Sequence, residues 1–236
     1  MSKILITGAT GFIGASLINT LRTQGHIMSG TTRKTGVVSG PNGIPLHKIP
    51  EISVNTDWSN IISGAEVIIH LAARVHIMRD QSQNPMEAFR CVNTLGTKSL
   101  ALQAANAGIK RFIFLSTVKV AGETSPLGGF KESGPISPND PYSISKYEAE
   151  QELLKIAQRS SMEVVIIRPP LVYGPNVKGN FLSLLKLAKR NYPLPLNSIN
   201  NKRSLIFVDN LTDAITKAVD HPKAANKIFF LSDEEN

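Results

Sequence analysis

The sequence predicts an α/β protein built on a doubly wound parallel sheet, with a small and incomplete carboxyl-terminal lobe. Strand-like apolar runs alternate along the chain with amphipathic helical stretches, and they lie at 3–7, 26–31, 66–72, 111–116 and 163–169. These runs are nearly continuous in Ile, Val and Leu, which is typical of parallel strands covered by helices on both faces. The alternation therefore favours one sheet between two layers of helices.

The pattern loosens after Arg168, where a stretch rich in Pro, Gly and Asn precedes a further strand, helix and strand. We predict a main domain at 1–170, against which 204–221 also packs. The second lobe is expected to be formed by 171–203 and 222–236.

The bulk properties are those of an ordinary globular protein. The 236 residues are 42% hydrophobic and 19% charged, which is enough for one sizeable core. No window reaches the roughly 18 consecutive apolar residues of a membrane span, and Lys3 leads into a short strand rather than the longer apolar region of a signal peptide. We expect a cytoplasmic protein that does not bind membranes.

Cysteine content and charge exclude several classes of site. A lone cysteine, Cys91, rules out an internal disulfide and a zinc cluster, so we expect no metal site, and the helical pattern around it predicts a buried structural thiol. The net charge of +8 suits anionic ligands, but the basic residues are scattered and only nine Phe, four Tyr and one Trp are present. We therefore expect no nucleic-acid partner.

A glycine-rich turn follows the first strand. The stretch TGATGFIGASL places Gly8, Gly11 and Gly14 between a strand and a helix, with Phe12 and Ile13 among them. Glycines permit a tight turn and let backbone amides at a helix amino terminus approach a pyrophosphate. A plain strand-to-helix connection explains one glycine better than three, so the spacing predicts dinucleotide binding by these five residues.

The end of the second strand carries no carboxylate. NAD-binding folds place an Asp or Glu about 20 residues after the glycines, whereas NADP-binding ones accommodate the 2′-phosphate with an Arg. Here the stretch IMSGTTRKTG offers Arg33 and Lys34, and the first acidic residue is Glu51. NADP(H) is therefore the preferred cofactor. NAD(H) is the alternative, in which case the two basic residues form only a solvated loop.

Tyr142 and Lys146 lie four residues apart at the start of a predicted helix and share one face. Ser116 and Thr117 follow the preceding strand at the sheet edge where ligands bind. A Tyr phenol can act as an acid/base near neutral pH when an ammonium and an oxidised nicotinamide stabilise the phenolate, and a nearby hydroxyl can hold the substrate oxygen. A surface Tyr on an amphipathic helix is the alternative.

Five motifs occur in order along the chain: TGATGFIG, HLAA at 70–73, STVKVAG at 116–122, YSISK at 142–146 and RPPLVYGP at 168–175. With them the chain resembles, over essentially its whole length, the extended short-chain dehydrogenase/reductases of the NAD-dependent epimerase/dehydratase family. The resemblance implies a Rossmann domain with a smaller sugar-nucleotide lobe, and hydride exchange at a sugar C4. Family members continue past the point where this chain stops, so we expect an incomplete lobe.

The resemblance also implies roles for individual residues. Tyr142 resembles the catalytic acid/base, Lys146 its partner and ribose ligand, and Thr117 the hydroxyl that fixes the substrate. Contacts to the cofactor are implied for Leu71, Ala72, Ala73 and Pro169.

Three residues are candidates for binding the substrate. Arg203 matches the position from which related enzymes contact the nucleotide diphosphate, with a surface ion pair as the alternative. Arg74 and His76 are placed to reach the sugar pocket, although a structural role is equally open for His76. Dehydratases of the family carry Asp-Glu directly after the catalytic Thr, and Val118 and Lys119 in those places argue against dehydration.

Two enzyme activities and one non-catalytic role fit this set. A reductase of UDP-4-keto-6-deoxy-N-acetylglucosamine consumes reduced cofactor and suits NADPH, whereas a UDP-glucose or UDP-N-acetylglucosamine 4-epimerase returns the hydride and suits a retained NAD. The missing carboxylate favours a 4-keto sugar reductase of bacterial surface-polysaccharide biosynthesis. A non-catalytic NADP(H) sensor is the third hypothesis, and the intact Thr117, Tyr142 and Lys146 argue against it.

The expected partner is a nucleotide-diphosphate sugar, and the resemblance makes it a UDP-sugar. The same resemblance predicts a homodimer formed through the helices at 84–106 and 141–159.

Overall fold

The computed structural model describes residues 1–75, 82–126, 128–177, 179–189 and 202–233. Its strands are β1 (Lys3–Thr7), β2 (Ile27–Thr32), β3 (Leu46–Lys48), β4 (Val67–His70), β5 (Arg111–Leu115), β6 (Glu163–Arg168), β7 (Leu171–Tyr173), β8 (Leu205–Phe207) and β9 (Ile228–Phe230). Among the described residues, seven of these strands form one sheet in the order β3-β2-β1-β4-β5-β6-β9, and all neighbours in it are parallel. β7 and β8 form a separate parallel pair.

Helices cover both faces of the large sheet. The described helices are α1 (Phe12–Thr23), α2 (Ser59–Ile62), α3 (Pro85–Phe89), α4 (Thr97–Asn106), α5 (Pro141–Gln158), α6 (Asn180–Lys189) and α7 (Val208–Asp220). Of these, α1, α2, α4, α5 and α7 contribute to the two core clusters that cover the sheet. None of the helices in the described ranges combines the length and hydropathy that crossing a bilayer requires.

The sheet is buried on both sides because the middle positions of its central strands β1, β4, β5 and β6 are apolar. In β1, Ile4 and Ile6 belong to the core cluster that contains residues of α1 and α7. Leu5, which points the other way, belongs to the cluster that contains residues of α2, α4 and α5. This arrangement confirms the predicted fold class, a doubly wound α/β sheet.

The helical stretch around Cys91 is not a regular α-helix. The segment Arg90–Gly96 is π-helical and joins α3 to α4. It buries Asn93 and Thr94, while Cys91 is only partly buried. The prediction of a fully buried thiol is therefore wrong, because the wider π turn changes which side chains face the core.

Three short strands differ from the sequence prediction. β3 and β7 were not expected, because three residues are too few to show a periodicity and Pro and Gly flank β7. β9 was assigned to the second lobe, but it pairs with β6 at the edge of the large sheet. The helix α7 packs against α1. The predicted domain boundaries stay a prediction.

Gly14 allows α1 to lie close to the turn that follows β1. A Cβ at this position would be 2.9 Å from the Cα of Ala9 and closer still to the carbonyl oxygen of Gly8. Both neighbours are backbone atoms, so no side-chain rotation can relieve the contact. Only glycine fits here without moving the turn.

We expect Gly14→Ala to destabilise the fold by about 1–3 kcal/mol, the usual cost of overpacking a rigid site. Urea unfolding monitored by circular dichroism would measure the loss. Thr23→Ala, at an exposed position in the last turn of the same helix, is the matched control and should leave stability nearly unchanged. Equal stability of the two variants would contradict this account of the turn.

Candidate active site

The carboxyl ends of β1, β4, β5 and β6 lie side by side, since these four strands are neighbours in the sheet. Thr7 and His70 are the last residues of β1 and β4, Ser116 directly follows β5, and Arg168 ends β6. Ligands of open α/β sheets bind at this edge. These four polar residues therefore lie at the sheet edge where a ligand-binding crevice is expected.

The turn after β1 forms a bare backbone surface. Gly8 has a φ of 73°, and a Cβ there would lie 3.0 Å from the backbone nitrogen of Ala72. Gly11 is the N-cap of α1, and no side chain caps this helix. The amides of Phe12 and Ile13 begin the helix with no acidic residue in the first turn, so a diphosphate fits this end both sterically and electrostatically.

A buried hydrogen-bonded chain fixes the segment that faces this turn. The Thr7 hydroxyl lies 2.7 Å from Nδ1 of His70, and Nε2 of His70 lies 3.0 Å from the hydroxyl of Thr97. The amide of Ala72 donates to the Thr7 hydroxyl at 3.2 Å. Burial lowers the pKa of His70 to about 3, so the imidazole is neutral and acts as a structural link. Leu71, Ala72 and Ala73 are thereby held beside the glycine turn.

Arg33 and Lys34 lie where β2 ends, and both are exposed. The Lys34 amide donates to the Thr32 hydroxyl at 3.1 Å, which shapes the turn. Thr31 and Thr32 are 3% and 4% exposed, so the two basic side chains are the groups of this strand end that can reach a ligand. Their placement suits a phosphate but does not require one.

Thr117 and Ser116 have different surroundings. The Ser116 hydroxyl donates to Oε1 of the buried Glu150 at 2.5 Å, so it points into the protein. Thr117 caps the short 3₁₀ turn Val118–Val120 by accepting a hydrogen bond from the Lys119 amide at 3.3 Å. Thr117 is therefore the hydroxyl of this pair that is available to a substrate.

The first turn of α5 carries Tyr142. Asp140 is the N-cap, and it forms a reciprocal capping box with Ser143. Pro141 occupies the first helical position, where its missing N–H costs nothing. The Lys119 ammonium is 2.9 Å from the Asp140 carboxylate and ties the turn after Thr117 to this helix end.

Burial and the nearby Asp140 carboxylate raise the pKa of the Tyr142 phenol above its ordinary value. The chain itself therefore disfavours the phenolate form, because desolvation of the phenol and the negative charge of Asp140 both oppose it. Positive charge placed beside the phenol oxygen, on the Lys146 ammonium or on a bound ligand, would favour the phenolate.

Lys146 lies one turn further along α5 and is 2% exposed. Its ammonium is 4.0 Å from the centre of the Phe114 ring. Burial lowers the pKa of Lys146 to about 7, and the carboxylate of Glu150 opposes this shift. The lysine can therefore exchange a proton near neutral pH.

Asn93 links the segment after β4 to α5. Its side-chain oxygen accepts from the Arg74 amide at 2.8 Å, and its nitrogen donates to the Arg74 carbonyl and the Ser145 hydroxyl, both at 3.0 Å. The Arg74 guanidinium lies 5.4 Å from the Phe89 ring centre, and Phe89 makes an edge contact with the ring of Tyr142 at 6.2 Å. The π-helical segment thus holds Arg74 and Tyr142 on the same side of the crevice.

The structure gives fewer contacts for the remaining predicted site residues. Pro169 is buried, and its carbonyl accepts from the Val118 amide at 2.9 Å, next to Thr117. Arg203 is exposed just before β8, on the smaller sheet. His76 lies outside the described residues.

Two buried residues of the site were missed by the sequence analysis. Glu150 and Arg168 are 0% and 2% exposed and form an ion pair with a 2.5 Å contact. The available signal was the spacing of Lys146 and Glu150, which places both on one face of α5.

Comparison with known proteins agrees with this geometry. The model of the NAD dependent epimerase/dehydratase family matches residues 4–231. A UDP-glucose 4-epimerase of Vibrio cholerae is 46% identical over 234 residues, which are 98% of this chain and 70% of that protein. A UDP-glucose 4-epimerase of Mycolicibacterium smegmatis is 28% identical over 92% of this chain and 72% of its own length.

Solved structures of similar fold cover nearly the whole chain. MoeE5 in complex with UDP-glucuronic acid and NAD has a TM-score of 0.81 at 25% identity, over 99% of this chain and 77% of that one. A UDP-glucuronic acid 4-epimerase from Bacillus cereus in complex with NAD shares the fold with a TM-score of 0.83 at 24% identity, over 99% and 79% of the two chains. The chain described here therefore belongs to the NAD dependent epimerase/dehydratase family.

Proposed function

We propose that this protein is an NAD-dependent 4-epimerase of a UDP-sugar. The observation that carries the proposal is the convergence of Thr117, Tyr142 and Lys146 at the sheet edge next to an uncapped, glycine-lined helix terminus. The relatives named above support it, because two of them are UDP-glucose 4-epimerases. They favour the epimerase over the 4-keto sugar reductase that the sequence favoured.

The chain supplies proton transfer and orientation at the sugar C4. A bound nicotinamide would supply the hydride acceptor and donor of the reaction. As the phenolate, Tyr142 takes the proton of the C4 hydroxyl while that carbon is oxidised, and as the resulting phenol it returns the proton after the sugar has presented its other face. The Thr117 hydroxyl holds the same oxygen, so the reacting atom stays fixed during both transfers.

The raised pKa of Tyr142 fits this double role. Without a ligand, the Tyr142 phenol holds its proton firmly, and the phenolate forms only when positive charge is brought beside it. The phenolate that can accept the proton of the sugar hydroxyl is therefore available only when the oxidised cofactor is bound, which is also the state in which oxidation at C4 is possible. The Lys146 ammonium, held under the same helix turn, supports the phenolate while it exists.

A second candidate, the 4-keto sugar reductase that uses NADPH, is supported by one observation. Arg33 and Lys34 are exposed at the end of β2, where NAD-binding folds usually place a carboxylate. Two cations there suit a 2′-phosphate better than a free ribose hydroxyl. The two candidates share all catalytic residues and differ in the cofactor and in whether it is retained.

The cofactor test separates the two candidates. We expect the purified protein to release NAD on denaturation, because a UDP-sugar 4-epimerase retains NAD. After the NAD has been removed, we expect the wild-type protein and the Arg33→Ala variant to bind NADH with equal affinity. Arg159→Ala, at an exposed position where α5 ends, is the control for general loss of positive charge. Tighter binding of NADPH, lost in Arg33→Ala but not in the control, would move the assignment to the reductase.

Tyr142→Phe should abolish turnover of UDP-glucose and spare dinucleotide binding, since only the phenol oxygen is removed. We expect at least a 100-fold loss, the usual contribution of a positioned acid/base being about 10²–10⁴-fold. Tyr147→Phe, five residues further on the same helix, is the matched control and should remain active. Turnover retained by Tyr142→Phe would reject the catalytic assignment.

We also propose a homodimer through the face formed by α4 and α5 and the π-helical segment. Leu95 and Leu102 are 39% and 43% exposed on this face and would be covered in the dimer. Analytical ultracentrifugation should show a dimer, and Leu102→Glu should yield a monomer. A wild-type monomer at micromolar concentration would reject this assembly.

A further inference from the structure

Three polar side chains form a closed cluster beneath the catalytic residues. Ser116, Glu150 and Arg168 are 3%, 0% and 2% exposed. The Glu150 carboxylate accepts from the Ser116 hydroxyl at 2.5 Å, and from Nε and Nη2 of Arg168 at 3.0 and 2.5 Å. Both carboxylate oxygens are thus satisfied by fixed donors. The guanidinium carbon of Arg168 lies 5.2 Å from the Phe230 ring centre, which covers the cluster from β9.

Stability alone does not account for such a cluster. Removing two charges from water costs several kcal/mol per ion, and well-packed apolar replacements of buried ion pairs are often neutral or stabilising. Here the environment is also incomplete, because Nη1 of Arg168 is buried without a hydrogen-bond partner among the described residues. A costly, imperfectly satisfied pair in a protein core suggests a role beyond packing.

Each member of the cluster either neighbours a proposed functional residue in the sequence or shares a helix face with one. Glu150 lies four residues after Lys146 on α5, so the two side chains share one helix face. Ser116 directly precedes Thr117, and Arg168 directly precedes Pro169. The carboxylate of Glu150 therefore connects α5, β5 and β6 at the point where all three meet the crevice.

Lys146 has few other means of remaining charged. Its ammonium lies against the face of Phe114, and it has no hydrogen-bond acceptor within the described residues. The ionisable groups around it are Tyr142 and Glu150 on α5, His70 on β4 and Arg168 on β6. His70 is neutral and Arg168 is cationic, so Glu150 is the anionic group of this set.

We propose that Glu150 is the counter-ion of Lys146, a positioning residue that Arg168 and Ser116 hold in place so that the buried lysine keeps its proton. The role assigned to Lys146 rests on the proposed function, but the pairing of the two charges does not. The direction of the electrostatic effect supports it, since the carboxylate opposes the lowering of the Lys146 pKa by burial.

The test measures the protonation of Lys146 directly. In protein labelled with ¹³C at lysine Cε, the Lys146 signal is assigned by its absence in Lys146→Met and followed against pH. We expect Glu150→Gln to lower the titration midpoint of Lys146 by about one pH unit or more, the usual effect of losing an opposite charge at close range. Because Glu150→Gln leaves Arg168 buried without a counter-charge, the double variant with Arg168→Gln is made in parallel, with a smaller shift in the same direction expected.

The control is a second carboxylate that is paired with an arginine, at the amino-terminal ends of β5 and β6. Glu163 begins β6 and accepts from Arg111, which begins β5, at the opposite edge of the sheet. Glu163→Gln should leave the titration midpoint of Lys146 unchanged, because Glu163 is about 17 Å along β6 from Arg168, the residue that pairs with Glu150.

An unchanged or raised midpoint in either folded Glu150 variant would overturn the inference. Activity on UDP-sugars is measured on the same wild-type preparation, so the two failures can be told apart. If the midpoint shifts but the wild-type protein converts no UDP-sugar, the pairing of Glu150 with Lys146 stands and the proposed function is rejected. If the protein is active but the midpoint does not depend on Glu150, the proposed function stands and the pairing is rejected.

Discussion

Burial of both faces of one parallel sheet is the constraint on which the other features depend. The middle positions of β1, β4, β5 and β6 are apolar, so the polar side chains of these strands lie at their ends. Because all seven strands run in the same direction, their carboxyl ends meet at one edge. The turn at Gly8, the hydroxyl of Thr117 and the helix start at Tyr142 come together there for this reason, although they are far apart in sequence.

The same constraint sets the electrostatics of the site. Groups at the sheet edge are partly withdrawn from water, which disfavours the charged forms of both Tyr142 and Lys146. The pKa of the phenol rises and that of the ammonium falls, so each shift favours the neutral form of its group. Glu150 on the lysine side already opposes the fall in the ammonium pKa, and a cationic ligand on the tyrosine side is the addition that would favour the phenolate.

Much of this could be predicted from the sequence, because the relevant signals are local. Long apolar runs identify the main strands, three glycines after the first of them mark the turn into α1, and a four-residue spacing places Tyr142 and Lys146 on one helix face. Strands of three residues such as β3 carry no periodicity, and β9 joins the sheet through a distant partner. Contacts such as that between Glu150 and Arg168 are equally invisible, because they depend on which helix covers which strand. The basic residues after β2 suggested a cofactor, but exposed charges at a loop end are compatible with more than one ligand.

The π-helical segment Arg90–Gly96 has a consequence for how this part of the chain can change. Such a segment accommodates one more residue per turn than an α-helix, so deleting a single residue from it would restore regular geometry. The deletion would also rotate everything before it by about 100° relative to α4. Phe89 would leave the ring of Tyr142, and Asn93 would no longer reach both Arg74 and Ser145. The irregular turn therefore sets the register in which Phe89 and Asn93 make these contacts, and a shortened, more regular helix would lose them.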